Sequence, residues 1–104
     1  MTDTKMRSAP TLELLRAKRA EILELADQHR AFNVRVFGSV ARGEATLESD
    51  VDLLVDFRDG ATIWDAVGLW QALQEFLDRE VSLIGEDNRD TRFMQQVLKD
   101  AVAL

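Results

Sequence analysis

Apolar residues recur at helical spacing near the start of the chain, at Leu12, Leu15, Ile22, Leu23 and Ala26. Arg16, Lys18, Glu21, Glu24 and Asp27 fall on the other side. This pattern predicts one amphipathic helix from near Thr11 to about His29. The polar residues 1–10 end in the only proline and predict a frayed arm before that helix. The period then changes. Val34-Arg35-Val36-Phe37 and the apolar run that Asp50 and Asp52 open, through Phe57, predict strands. Arg58-Asp59-Gly60 marks a turn, and Thr62 with Asp65 resembles a capping box opening a helix that runs to about Asp78. Ile63, Ala66, Val67, Trp70, Leu73 and Leu77 are expected on the buried face of that helix, with Leu69 and Phe76 at its margin. Trp64 lies well off the stripe and is the candidate partner surface. A strand at 80–84, a polar turn at 85–88 and a final helix carrying Phe93, Met94, Val97, Leu98 and Ala101 complete the order. Helix, strand, short helix, strand, helix, strand, helix is the signature of an α/β or α+β sandwich.

The 104 residues suit one domain with one core, placed at 11–104 after the arm. Against 19 acidic residues stand 13 basic ones, a net charge of −6 that disfavours a nucleic-acid substrate. Arg16, Lys18, Arg19, Arg30 and Arg35, all in the first third, leave room for a local basic patch. The absence of cysteine removes disulfides and thiolate metal sites and fits a reducing cytoplasm. No apolar run reaches the roughly 20 residues of a membrane span, and the polar start MTDTKMRS lacks the form of a signal peptide. The expectation is a soluble cytoplasmic protein with no membrane association. His29, the only histidine, sits at a helix end, where the dipole explains it.

Candidate chemistry lies between residues 38 and 52. On a strand, residues two apart share a face, so Asp50 and Asp52 bring two carboxylates to about 6–7 Å at their Cα atoms. Two anions that close call for screening by water or for a hard cation such as Mg²⁺, which takes carboxylate and phosphate oxygens. Upstream, Gly38-Ser39 falls where a strand turns into a short helix-forming segment, and backbone N–H groups at such a turn attract phosphate. Gly38 and Gly43 have P-loop spacing, but Glu44 and Ala45 occupy the positions of its Lys and Ser or Thr, so that reading fails. Arg42 is a secondary nucleotide-binding candidate, with pairing to Glu44 or Glu48 as the alternative.

Gly38-Ser39, the ten residues 40 to 49, and Asp50-Val51-Asp52 together resemble the minimal nucleotidyltransferases of the DNA polymerase β superfamily. Ala41-Arg42-Gly43-Glu44 and Ser49 also match choices familiar in that family. The resemblance implies a small mixed sheet with the active site on one face and helices on the other. It also implies ATP bound with its phosphates at Gly38-Ser39, Mg²⁺ ions on Asp50 and Asp52, and transfer of AMP to a hydroxyl with release of pyrophosphate. Small proteins of this kind act as antitoxins of HEPN toxins, which makes a HEPN-type protein the expected partner.

The family pattern places a third carboxylate where Glu80-Val81-Ser82-Leu83-Ile84 puts Ser82, with Glu80 as the one nearby substitute. A binding module that keeps the fold and masks its partner without turnover is therefore the alternative function. Transfer to a small molecule such as an aminoglycoside ranks last, because no second lobe is evident to hold it; a homo-oligomer interface would be needed to form that pocket.

Overall fold

The computed structural model describes residues 8–86 and 91–104. Its elements are α1 (Leu12–Ala17), α2 (Arg19–Gln28), β1 (Ala31–Phe37), α3 (Gly38–Arg42), β2 (Val51–Phe57), α4 (Ile63–Leu77), β3 (Val81–Gly85), α5 (Thr91–Asp100) and β4 (Val102–Ala103). The four strands form one mixed sheet in the order β3-β2-β1-β4. β1 lies antiparallel to both β2 and β4, while β2 and β3 run parallel. A mixed sheet flanked by helices is the architecture expected from the sequence.

Strand alternation divides the residues of the sheet between two layers. Val36, Val51, Leu53 and Val55 pack with Leu15, Ile22, Ala26, Leu69 and Leu73 into the larger core, under α1, α2 and α4. On the other face, Phe37 and Leu54 pack with Met94 and Val97 of α5. That face is therefore partly roofed, and only its end near Asp52 and Ser82 carries the candidate site.

Several expectations are corrected. The predicted helix over residues 11–29 is two helices, broken at Lys18, whose φ of −105° and ψ of 15° leave the helical region. Leu15 and Ile22 both reach the core across the break. The capping box does form: the Thr62 hydroxyl accepts from the Trp64 N–H at 3.2 Å, and Asp65 accepts from the Thr62 N–H at 2.9 Å. The buried face of α4, however, is turned from the expected one. Leu73 is buried as expected and Leu69, expected at the margin, is buried with it, whereas Ile63 is 71% exposed and Val67 and Trp70 remain substantially accessible. Trp70 tethers the helix to β3, its Nε1–H donating to the Val81 carbonyl at 2.8 Å.

At the end of the chain, the final helix stops at Asp100 and Val102–Ala103 become a strand that the sequence reading did not foresee. The Arg16 guanidinium holds that strand by donating to the carbonyls of Ala103 at 2.8 Å and Leu104 at 3.2 Å. Most of the expected arm at 1–10, and residues 87 and 88 of the turn at 85–88, lie outside the described residues. Among the described residues no helix is long and apolar enough to cross a membrane.

Candidate functional site

β1 ends at Phe37, and the chain turns at once into the five-residue α3. Gly38 makes that turn with φ of +72°, a left-handed conformation open to glycine. The turn presses its backbone against β2: a Cβ placed on Gly38 would lie 2.2 Å from Asp52 Oδ2. Positive φ and close approach together therefore require glycine. Ser39 follows, half-buried in the first turn of α3. The first N–H groups of any helix lack intrahelical acceptors, although five residues sum to only a small dipole.

α3 closes at Gly43, again left-handed at φ of +75°. The loop back to β2 is folded by its own hydroxyls: Ser49 Oγ accepts from the Thr46 N–H at 2.8 Å, and the Ser49 N–H donates to the Thr46 carbonyl at 3.1 Å. This turn delivers Asp50, exposed at the mouth of β2, and Asp52, half-buried on the strand. Register then sets Asp52 opposite Phe37 on β1 and opposite Ser82 on β3. Burial pushes the Asp52 carboxyl above the usual aspartate range. A hydrogen bond from the Ser82 hydroxyl opposes the rise, the charge of Asp50 adds to it, and the charge of Arg42 opposes it. Two carboxylates in electrostatic contact, one of them desolvated, form a donor set suited to one hard divalent cation.

The structure thus brings together Gly38, Asp52 and Ser82, with Asp50 close enough for its charge to act on Asp52. Arg42 is placed differently from a free phosphate ligand. Its guanidinium donates to Glu44 at 2.9 Å and to Asp100 at 2.6 Å, tying α3 to the end of α5. Glu48, the other weighed partner, does not join this pair. Glu80 is exposed and precedes β3, with its backbone carbonyl taking the Val51 N–H at 3.0 Å. Among the described residues no cluster of three acidic or imidazole side chains surrounds a metal position. Sequence reasoning missed Asp100, which lies 58 residues from Arg42 and carries no local motif. It also missed α5 as a roof, which the amphipathic pattern of Met94 and Val97 signalled without saying where it would dock.

Between α4 and the outer edge of β3 runs a groove of about 510 Å³ lined by Ile63, Ala66, Val67, Trp70 and the strand residues Val81 through Ile84. Its strand side includes Ser82, the same residue that bonds Asp52, so the groove adjoins the carboxylate site. Trp64, 78% exposed, stands beside Ile63 at the start of α4.

Comparison with known proteins agrees with this fold. Residues 20–104 match the family of polymerase β nucleotidyltransferases. The protein adenylyltransferase MntA of Thermococcus cleftensis is 33% identical over 79 residues, which cover 76% of this chain and 80% of that protein. A solved structure assigned as a minimal nucleotidyltransferase is 47% identical, with a TM-score of 0.79 over 90% of this chain and 96% of its own. A toxin–antitoxin structure determined with AMP-PNP is 26% identical, with a TM-score of 0.69 over 81% of this chain and 69% of its own.

Proposed function

Because the chain belongs to the polymerase β nucleotidyltransferase family, we propose that it transfers AMP from ATP to a hydroxyl of a protein partner, acting as the antitoxin of a HEPN-type toxin. The observation that carries this reading is the packing of Gly38 against Asp52, with the carboxylates of Asp50 and Asp52 electrostatically coupled beside it. The turn at Gly38 and Ser39 would receive the triphosphate beside the Asp52 carboxylate, which a side chain in place of the glycine hydrogen would strike. Asp50 and Asp52 would hold Mg²⁺. When bound, the ion supplies charge to screen the phosphate oxygens and the developing pyrophosphate.

The acceptor oxygen forms a bond to the α-phosphorus as the bond to the bridging oxygen breaks. Pyrophosphate departs with that electron pair, and the acceptor proton passes to solvent. Arg42, already shared by Glu44 and Asp100, would steady α3 and add positive potential near the phosphates rather than grip them. A protein acceptor is favoured by the groove adjoining Ser82 and by the exposed Ile63 and Trp64, which offer an apolar surface of the kind partner proteins cover. The relatives described as a protein adenylyltransferase and as a toxin–antitoxin pair point the same way.

Calorimetric titration of ATP with Mg²⁺ into the native chain and into Asp50→Asn/Asp52→Asn tests the site. Incubation with labelled ATP and the co-expressed partner tests the transfer. Metal-dependent binding and labelling, both lost in the double variant, are the expected results. Labelling that persists in the variant rules the reading out. The second reading, a masking module with little turnover, draws on one observation, the serine that stands opposite Asp52.

A further inference from the structure

Resting on the nucleotidyltransferase reading, we infer that Ser82 makes this a one-ion site: the chain takes up a single divalent cation with its nucleotide and lacks a ligand set for a second. Two-ion nucleotidyl transfer places two dications about 3.5–4 Å apart. Their mutual repulsion requires anionic ligands on both. Paired residues on neighbouring strands lie about 4.8 Å apart, so Ser82 occupies the β3 position from which a carboxylate would serve the second ion beside Asp52. The residue there is neutral: in place of a carboxylate's charge it brings only a hydroxyl, which also acts on the Asp52 carboxylate.

The other carboxylates around the site do not make up the loss. Glu44 and Asp100 are held by Arg42. Asp56 and Glu86 are held by Arg35 toward the far end of the sheet. Glu80 is exposed and its backbone, not its side chain, meets β2. Among the described residues no third carboxylate joins Asp50 and Asp52 into a metal-holding group, and their two charges, with phosphate oxygens, match one Mg²⁺. Arg42 adds positive potential at Asp52 and further disfavours a second cation. The chemical consequence is a separation of the two halves of the task. Nucleotide is held normally, while the acceptor hydroxyl loses ion-assisted deprotonation and is transferred to slowly.

Counting bound ions tests this directly. Mn²⁺ is titrated into the chain with a non-hydrolysable ATP analogue and bound ions are counted by electron paramagnetic resonance, for the native chain, Ser82→Asp and Ser82→Ala. One Mn²⁺ per native chain, one in Ser82→Ala and two in Ser82→Asp is the expected result, with AMP transfer at least tenfold faster in Ser82→Asp. Two ions on the native chain overturn the one-ion inference and leave the nucleotidyltransferase reading standing. Loss of the ion in Ser82→Ala also overturns it, by making the hydroxyl a ligand. No ion and no nucleotide on the native chain overturn both. Should Ser82→Asp fail to fold, the native and Ser82→Ala counts still decide.

Discussion

Asp52 shows how a half-buried carboxylate burdens the protein that carries it. Its carboxyl is held above the usual range chiefly by burial, so the folded chain binds that proton more tightly than the unfolded chain does. The stabilising contribution is complete below the unfolded-state value and is lost as pH rises through the raised folded value. At neutral pH the ion-free protein therefore carries a destabilising charge. Asp52→Asn is expected to melt a few degrees higher than the native chain at neutral pH without Mg²⁺, the gain shrinking as pH falls into the aspartate range. It should also abolish metal-dependent nucleotide binding. Thermal melts across pH check the sign, and a variant that melts lower at neutral pH contradicts it. At Gly38, Ala would combine a left-handed φ with a 2.2 Å approach to Asp52 Oδ2. A loss of about 1–3 kcal/mol in denaturant unfolding, together with loss of nucleotide binding, is expected there.

Between α3 and β2, placement depends on a turn rather than on a core. Ser49 accepts from Thr46 and thereby sets where Asp50 leaves the loop. Ser49→Ala should weaken Mg²⁺·nucleotide binding about 10-fold with little change in unfolding midpoint, and Ser49→Thr should restore it; an unchanged affinity in the alanine variant refutes this positioning role. The elements around this loop were readable because their signals are local: a glycine at a strand end, an aspartate pair at a strand start, the Thr62 and Asp65 cap. The misread features depend on distant partners. Val102 pairs with Val36 on β1 and Ala103 with Arg35, so the strand at 102–103 arises from tertiary contact that a helix-like sequence pattern conceals. α4 carries apolar residues beyond a single stripe, and periodicity, which placed Leu73 correctly, could not tell that the helix turns Leu69 inward and Ile63 and Val67 outward. Lys18 broke a helix whose sequence contains no breaker; no local signal marks it. In the candidate site, Asp50, Asp52, Gly38 and Ser39 stand out by their spacing in the sequence, whereas the pairing of Arg42 with Asp100 does not.

For the molecule as a whole, an acidic chain with an exposed apolar corner would have to meet the proposed partner without joining its own copies indiscriminately. The net charge of −6 opposes self-association, while Ile63 and Trp64 stay available. Trp64→Ala should weaken partner binding by about 2 kcal/mol, roughly 30-fold in Kd, and leave nucleotide binding unchanged. Equal affinity of the two proteins for the partner, measured by interferometry, would place the contact elsewhere. The bonds from Arg16 to Ala103 and Leu104 span nearly the whole described chain, at 87 and 88 residues' separation. Closing so long a loop is entropically costly until the sheet between its ends exists. In kinetic terms this clasp belongs to the last stage of folding. Arg16→Ala should therefore steepen the loss of the native state over time, raising the unfolding rate while the refolding rate stays as it was. The site near Asp52 would then owe its lifetime, though not its formation, to an arginine on the opposite layer of the protein.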